Sequence, residues 1–170
     1  MQDDEIKDFW KRLKGINAGL LGHVGGPARL VPMSHQLRDG DDAIWFITGR
    51  DTDLVRAVES GDGRARYVVA DGGKGLYAVL TGQLSLNDDK AVLDDLWSVV
   101  ADSWFDGGKD DPDVRVLAFT PDTAEVWLTP TSGLTFAFGI LRAQLTGEQP
   151  DMGSHATLSA AQLVRSGSAA

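Results

Sequence analysis

The chain has no cysteine in 170 residues, which excludes disulfides, thiol nucleophiles and thiolate metal sites. Positive charge is also short. Sixteen lysines and arginines face 25 aspartates and glutamates, for a net charge of −9. That balance argues against nucleic acid or an anionic membrane as partner, and leaves room only for a local basic pocket holding one small anion. No apolar run approaches the roughly 20 residues of a membrane span. The start, Met1-Gln2-Asp3-Asp4-Glu5, is acidic where a secretory leader is basic and then apolar, so a cytoplasmic location is expected. Histidine is scarce too. His23, His35 and His155 include no pair at the i, i+4 spacing of a metal-binding helix, and no metal centre is expected. There is no G-x-S-x-G elbow, and adjacent Ser34 and His35 point to opposite faces of a strand, so serine-hydrolase chemistry is not supported.

What is present is an ordinary globular composition, 42% hydrophobic and 24% charged. A chain of this length buries roughly 70% of its unfolded surface without disulfides or metals. Ile6, Phe9, Trp10 and Leu13 recur at helical spacing behind three carboxylates, and Gly15 ends that helix. Ile16–Val24 reads as a strand. Leu30–Leu37 and Ala43–Thr48 read as a hairpin around Arg38-Asp39-Gly40-Asp41-Asp42. Pro32 lies inside the first arm, so it belongs at an edge, at a bulge or where something other than a strand approaches the backbone. Asp51–Ser60 reads as a short helix, and Ala65–Ala70 and Gly75–Leu86 as strands. Val92, Leu93, Leu96, Trp97, Val100 and Trp104 follow a 3.6-residue period capped by Asn87 or Asp88. Val114–Phe119 and Ala124–Thr129 read as a second hairpin around Thr120-Pro121-Asp122-Thr123. Phe136–Leu145 fits either helix or strand. A domain over residues 1–150 and a small, polar tail over 151–170 complete the plan. The sum is α+β: a mainly antiparallel β-structure of about six strands with two or three helices, for which a small barrel is the natural closure.

Two glycine loops look like ligand sites and fail their tests. Asp71-Gly72-Gly73-Lys74-Gly75 lacks the upstream glycine of a phosphate loop, with Val68 in its place, and has Gly75 where Ser or Thr must follow the lysine. Asp106-Gly107-Gly108-Lys109-Asp110-Asp111 is interrupted by Lys109 and lacks the closing glutamate of a calcium loop. Both read better as turns. Trp104-Phe105, ending a helix against a glycine loop, is the aromatic pair best placed to wall a pocket.

Several segments, taken together and in order, are informative. Val31-Pro32-Met33, Ile44-Trp45-Phe46-Ile47-Thr48, Asp51-Thr52-Asp53-Leu54-Val55, Leu80-Thr81-Gly82-Gln83-Leu84-Ser85, Leu96-Trp97, Trp104-Phe105, Gly107-Gly108-Lys109-Asp110-Asp111-Pro112 and Ala124-Glu125-Val126-Trp127-Leu128 resemble the general stress protein branch of the pyridoxamine 5′-phosphate oxidase-like flavin-binding split barrels. The resemblance spans about residues 5 to 152. It implies a six-stranded antiparallel split β-barrel that forms a homodimer with two FMN sites between the protomers, FAD being the alternative flavin. It also implies that the strands carrying Val31, Pro32 and Met33 and carrying Ile47 and Thr48 line the ring. Arg50, Thr52, Asp53 and Leu54 then fall in the loop that meets the phosphate, and Trp104 walls the ring. Two positions depart from the pattern. Many relatives have arginine where Val31 stands and lysine where Leu54 stands, both contacting the phosphate. Arg29, sharing the strand face of Val31, Arg50 and Lys74 are the candidate replacements. The functions implied are a low-turnover FMN oxidoreductase, a non-catalytic flavin carrier or sensor, or a structural dimer that has lost its ligand. No catalytic residue stands out.

Overall fold

The structure, a computed structural model, describes residues 1–25, 29–131 and 153–165. Helix α1 (Asp3–Lys14) begins in three acidic residues and ends in Lys11, Arg12 and Lys14, so its charges complement the helix dipole at both ends. Gln2 and Glu5 form a reciprocal capping box, and Gly15 terminates the helix. Phe9, Trp10 and Leu13 form its buried face.

Among the described residues eight strands follow: β1 (Gly19–His23), β2 (Val31–Met33), β3 (Gln36–Leu37), β4 (Ile44–Gly49), β5 (Arg64–Asp71), β6 (Leu76–Asn87), β7 (Val114–Leu128) and β8 (Ser154–Ser159). All pairings are antiparallel, in the order β2-β1-β5-β6-β7-β4-β3, with β8 added to β7. The two ends of this path, β2 and β3, are separated only by Ser34 and His35. Met33 and Gln36 therefore lie within about 11 Å of each other, and the sheet has curled round on itself into a split barrel. Phe9, Leu21, Ile44, Phe46, Tyr67 and Phe119 are among the fully buried side chains that fill it. A second apolar cluster lies outside the barrel, where Val92 and Leu96 of α3 (Lys90–Leu96) cover Trp45, Val116 and Ala118.

Four sequence expectations change. The run Leu30–Leu37 is two strands with different partners. The second expected hairpin is one continuous strand, β7. Thr81 pairs with Thr123 but Gly82 with Pro121, so Asp122 is an extra residue in a bulge, and Thr120–Thr123 bends the chain without reversing it. The bulge also separates two neighbours along one edge of β7, β4 at Val114–Phe119 and β8 at Thr123–Leu128. The long helix is interrupted at Trp97, whose backbone is extended, and is capped by Asp89 in place of Asn87 or Asp88. The Ser98 hydroxyl then accepts from Ala101 N as α4 (Val99–Asp102) begins. Finally, the stretch read as a polar tail is built into the fold. β8 and α5 (Ala160–Leu163) bury Leu158 and Leu163 in the main core. Small polar residues hid an alternating strand with one inward leucine. Residues 136–145 lie outside the described residues. No helix among the described residues is long and apolar enough to cross a membrane.

Candidate functional site

The run from Val31 to Leu37 keeps one strand alternation throughout. Val31, Met33 and Leu37 pack against the barrel core, and His35 is buried. Only its partner changes. Gln36 and Leu37 pair with Trp45 and Ile44, whereas Met33, Pro32 and Val31 pair with Gly19, Leu20 and Leu21 of β1. Continued past Trp45, the β3–β4 register would set Met33 against Thr48 and Val31 against Arg50. The chain departs instead, and from Phe46 to Gly49 that edge of β4 has no strand partner among the described residues. Pro32 sits exposed on the opposite lip, at the edge of the sheet, where its missing N–H interrupts no central ladder. The result is a split bordered by backbone donors and acceptors that require partners.

The residues singled out from the sequence distribute unevenly around this split. Thr48 is buried on the interior face, and Ile47 packs outward against the α3 cluster. Arg50 follows β4. Its N–H donates to Asp113 O at 2.8 Å, and its guanidinium lies 3.0 Å from Asp113 Oδ1 and 3.6 Å from Asp51 Oδ2. Thr52 caps helix α2 (Asp53–Glu59), its hydroxyl accepting from Val55 N at 3.4 Å. Asp53 holds Arg56 at 2.5 Å and reaches Arg29 across the split at 3.9 Å. The side chains of Arg29 and Arg50 are 78% and 50% exposed, and among the described contacts each guanidinium pairs with carboxylates only. Leu54 is 5% exposed in the main core, so at the position of the expected lysine α2 presents an alkyl plug to the barrel end.

Two expected residues lie elsewhere in the protomer. Lys74 occupies the β5–β6 turn, its carbonyl accepting from Arg12 Nη1 at 3.1 Å. The length of the eight-residue β5, roughly 23 Å, separates that turn from the end where α2 packs. Trp104 is 79% exposed, beyond α4 and beside the tilted Trp97–Phe105 pair.

Sequence reasoning missed two features. Arg115 is the cross-strand partner of Thr48, and its Nη1 donates to the carbonyls of Pro112 and Val114. The signal was its place in the alternation, two residues before inward-facing Leu117. The other is the pairing of His35 with Tyr67 inside the barrel. His35 Nε2 lies 2.9 Å from Leu13 O and Nδ1 lies 2.6 Å from Tyr67 Oη. A carbonyl only accepts, so Nε2–H donates to Leu13 and Nδ1 accepts from the tyrosine hydroxyl. Burial pushes the imidazole pKa down and the Tyr67 pKa up, so both groups are neutral near pH 7.

A cavity of about 170 Å³ lies between the start of α3 and β7, lined by Asn87, Asp89, Lys90, Leu93, Arg115 and Val116. Ligand pockets usually measure some 300–1,000 Å³. Among the described residues, the split is bordered by the free edge of β4 and the exposed lip at Pro32.

Known structures share this architecture. A general stress protein 26 from Jannaschia sp. CCS1 superposes with a TM-score of 0.86 at 47% identity, covering 93% of this chain and 99% of that one. A general stress family protein from Xanthomonas campestris pv. campestris gives 0.66 at 34% identity, over 78% and 92% of the two chains. The general stress FMN/FAD-binding protein of Xanthomonas citri gives 0.66 at 32% identity, over 76% and 92%. No curated protein matches the sequence. The family model described as pyridoxamine 5′-phosphate oxidase like matches residues 4–151. On that match and these likenesses, the chain belongs to the pyridoxamine 5′-phosphate oxidase-like family, in its general stress protein branch.

Proposed function

We propose that this protein binds FMN, with FAD as the alternative flavin, in the split between β2 and β4, as a cytoplasmic homodimer whose second copy covers the site. The observation that carries the reading is the edge of β4 from Phe46 to Gly49, unpartnered among the described residues, facing the lip formed by Val31, Pro32 and Met33. A planar ring with alternating hydrogen-bond donors and acceptors fits such an edge as a further strand does. The Xanthomonas citri relative, described as FMN/FAD-binding, supports the choice of ligand.

In this reading Arg29, Arg50 and Thr52 take the phosphate. Thr52 and Asp53 act from the start of α2, and Asp53 releases Arg29 to the ligand because it already has Arg56. Leu54 serves by fixing α2 in the core. Lys74 and Trp104, remote or exposed in their own protomer, join the site from the second copy. Arg115 adds a cation beside Thr48. Flavin, when bound, supplies hydride and electron transfer, while the chain supplies position and electrostatics.

A carrier or sensor role has an observation in its favour over catalysis. Both ring nitrogens of His35, the imidazole nearest the split in sequence, are already bonded, so it has no proton to give a substrate. The test is the absorption spectrum of gently purified protein, repeated after adding FMN and desalting. Retained near-ultraviolet and blue flavin bands are expected. Colourless protein that keeps no added FMN overturns the reading. Reduction of the retained flavin by nicotinamide cofactors then separates oxidoreductase from carrier.

A further inference from the structure

The split exists because a single strand run changes partners at Ser34–His35, and the side chain at that fork is unusual. Among the described residues, and apart from buried tyrosine and tryptophan, His35 and Thr48 are the buried polar or charged side chains. A polar group placed in an apolar interior costs stability unless its hydrogen bonds are made, and both imidazole nitrogens make theirs. The partners come from different walls. Leu13 O belongs to α1 and Tyr67 to the centre of β5.

Tyr67 extends the connection. It is fully buried and packs edge-on against His35 at 5.6 Å and against Phe46 at 5.1 Å, at the point where β4 loses its strand partner. Its hydroxyl also lies under the other lip. A Cβ built on Gly19 would stand 2.6 Å from Tyr67 Cζ and from Oη, and Gly19 is the ladder partner of Met33. Glycine at position 19 is what allows the ring to sit there. One tyrosine thus touches the β1–β2 side of the split, the fork itself and the first free residue of β4.

We propose that His35 and Tyr67 are a positioning pair that sets the width of the split. Without it, Met33 is held from Thr48 only by its short ladder to β1 and its packing on the core, and the register that β3 and β4 have already begun would carry it toward Thr48. Unsatisfied backbone groups along both lips favour that closure. The hydrogen-bonded pair holds the fork at Ser34–His35 and keeps the two edges apart at a fixed spacing. The role of the split as a flavin site rests on the reading above; the control of its spacing does not.

The experiment is amide hydrogen exchange on wild type, Tyr67→Phe and His35→Asn, with FMN titration of the same three proteins. Tyr67→Phe keeps the ring and removes the hydroxyl, and His35→Asn retains an acceptor near the Nδ1 position. The amides of Val31, Met33 and Ile47–Gly49 are expected to change exchange rate by about tenfold or more in Tyr67→Phe, with the β6–β7 amides of Ala78, Leu80 and Val126 unchanged. FMN affinity is expected to fall by about tenfold in Tyr67→Phe, the loss of roughly one hydrogen bond's positioning, and by less in His35→Asn. A uniform change at all sites, no change at the split, or wild-type FMN affinity in Tyr67→Phe overturns the proposal. Should wild type bind no FMN, the flavin reading falls by itself, and the exchange pattern alone decides the positioning claim.

Discussion

Pro32 and Pro121 both interrupt strands, and the sheet accommodates them in opposite ways. Pro32 is exposed on the short edge strand β2, beside the split. Pro121 is buried in the longest strand, at the bulge where β7 accommodates Asp122 opposite Gly82. The first region gives up a ladder and opens the barrel. The second preserves pairing on both sides of the irregularity, and Asp122 turns out to hold Arg64 at 2.6 Å. Gly82 makes the difference possible. A Cβ there would come within 2.2 Å of Thr120 O, so only glycine lets the bulged strand approach. An interruption therefore becomes a site where the neighbouring strand has somewhere else to pair, and remains a bend where it does not.

The contrast can be broken from either side. The largest effect is expected from Phe119→Ala, fully buried where β7 pairs with both β4 and β6, a loss of about 3–5 kcal/mol by chemical denaturation. Leu158→Ala follows at about 2–5 kcal/mol, because β8 shares the edge of β7 just beyond the bulge and Leu158 is fully buried. A loose tail would show no change. On the split side, stability is expected to depend on pH through His35. Burial lowers its folded pKa below the ordinary value near 6.5, so protons favour the unfolded chain. The stabilisation is complete above that value and is lost as pH falls below it toward the lower folded pKa. Urea midpoints measured across this window should decline in wild type and flatten in His35→Asn. Thr52→Ala removes the cap of α2 at the mouth of the split and is expected to cost about 1 kcal/mol. Arg29→Ala sits last. Its ion pair is long and exposed, so stability should move by no more than about 1 kcal/mol, while FMN retention after desalting should fall.

Local signals made much of the molecule legible. Helix α1 announced itself through its acidic start, its apolar spacing and Gly15. The apolar runs behind β4, β5 and β6 read as strands and are strands, and the structure sets Val31-Pro32-Met33 and Phe46–Gly49 on the two lips of the split. Other features depend on contacts far apart in the chain. Thr120-Pro121-Asp122-Thr123 has turn residues, yet twelve residues of β6 run alongside and hold the strand straight enough to continue. Leu54 looked like a lost phosphate contact until α2 was seen to bury it. Nothing near His35 in sequence names Leu13 or Tyr67.

By itself, the sequence determined most element types before residue 131, a mainly antiparallel sheet and the absence of thiol chemistry, because periodicity, capping and composition act over a few residues, while the family came from the resemblance of its ordered motifs. Tertiary structure alone decided where the run Val31–Leu37 changes partners, which strand claims each edge of β7, and that a buried histidine and tyrosine stand at the fork. Strand pairing and burial are satisfied between residues distant in the chain, and a strand's own alternation is the same whichever neighbour it finds.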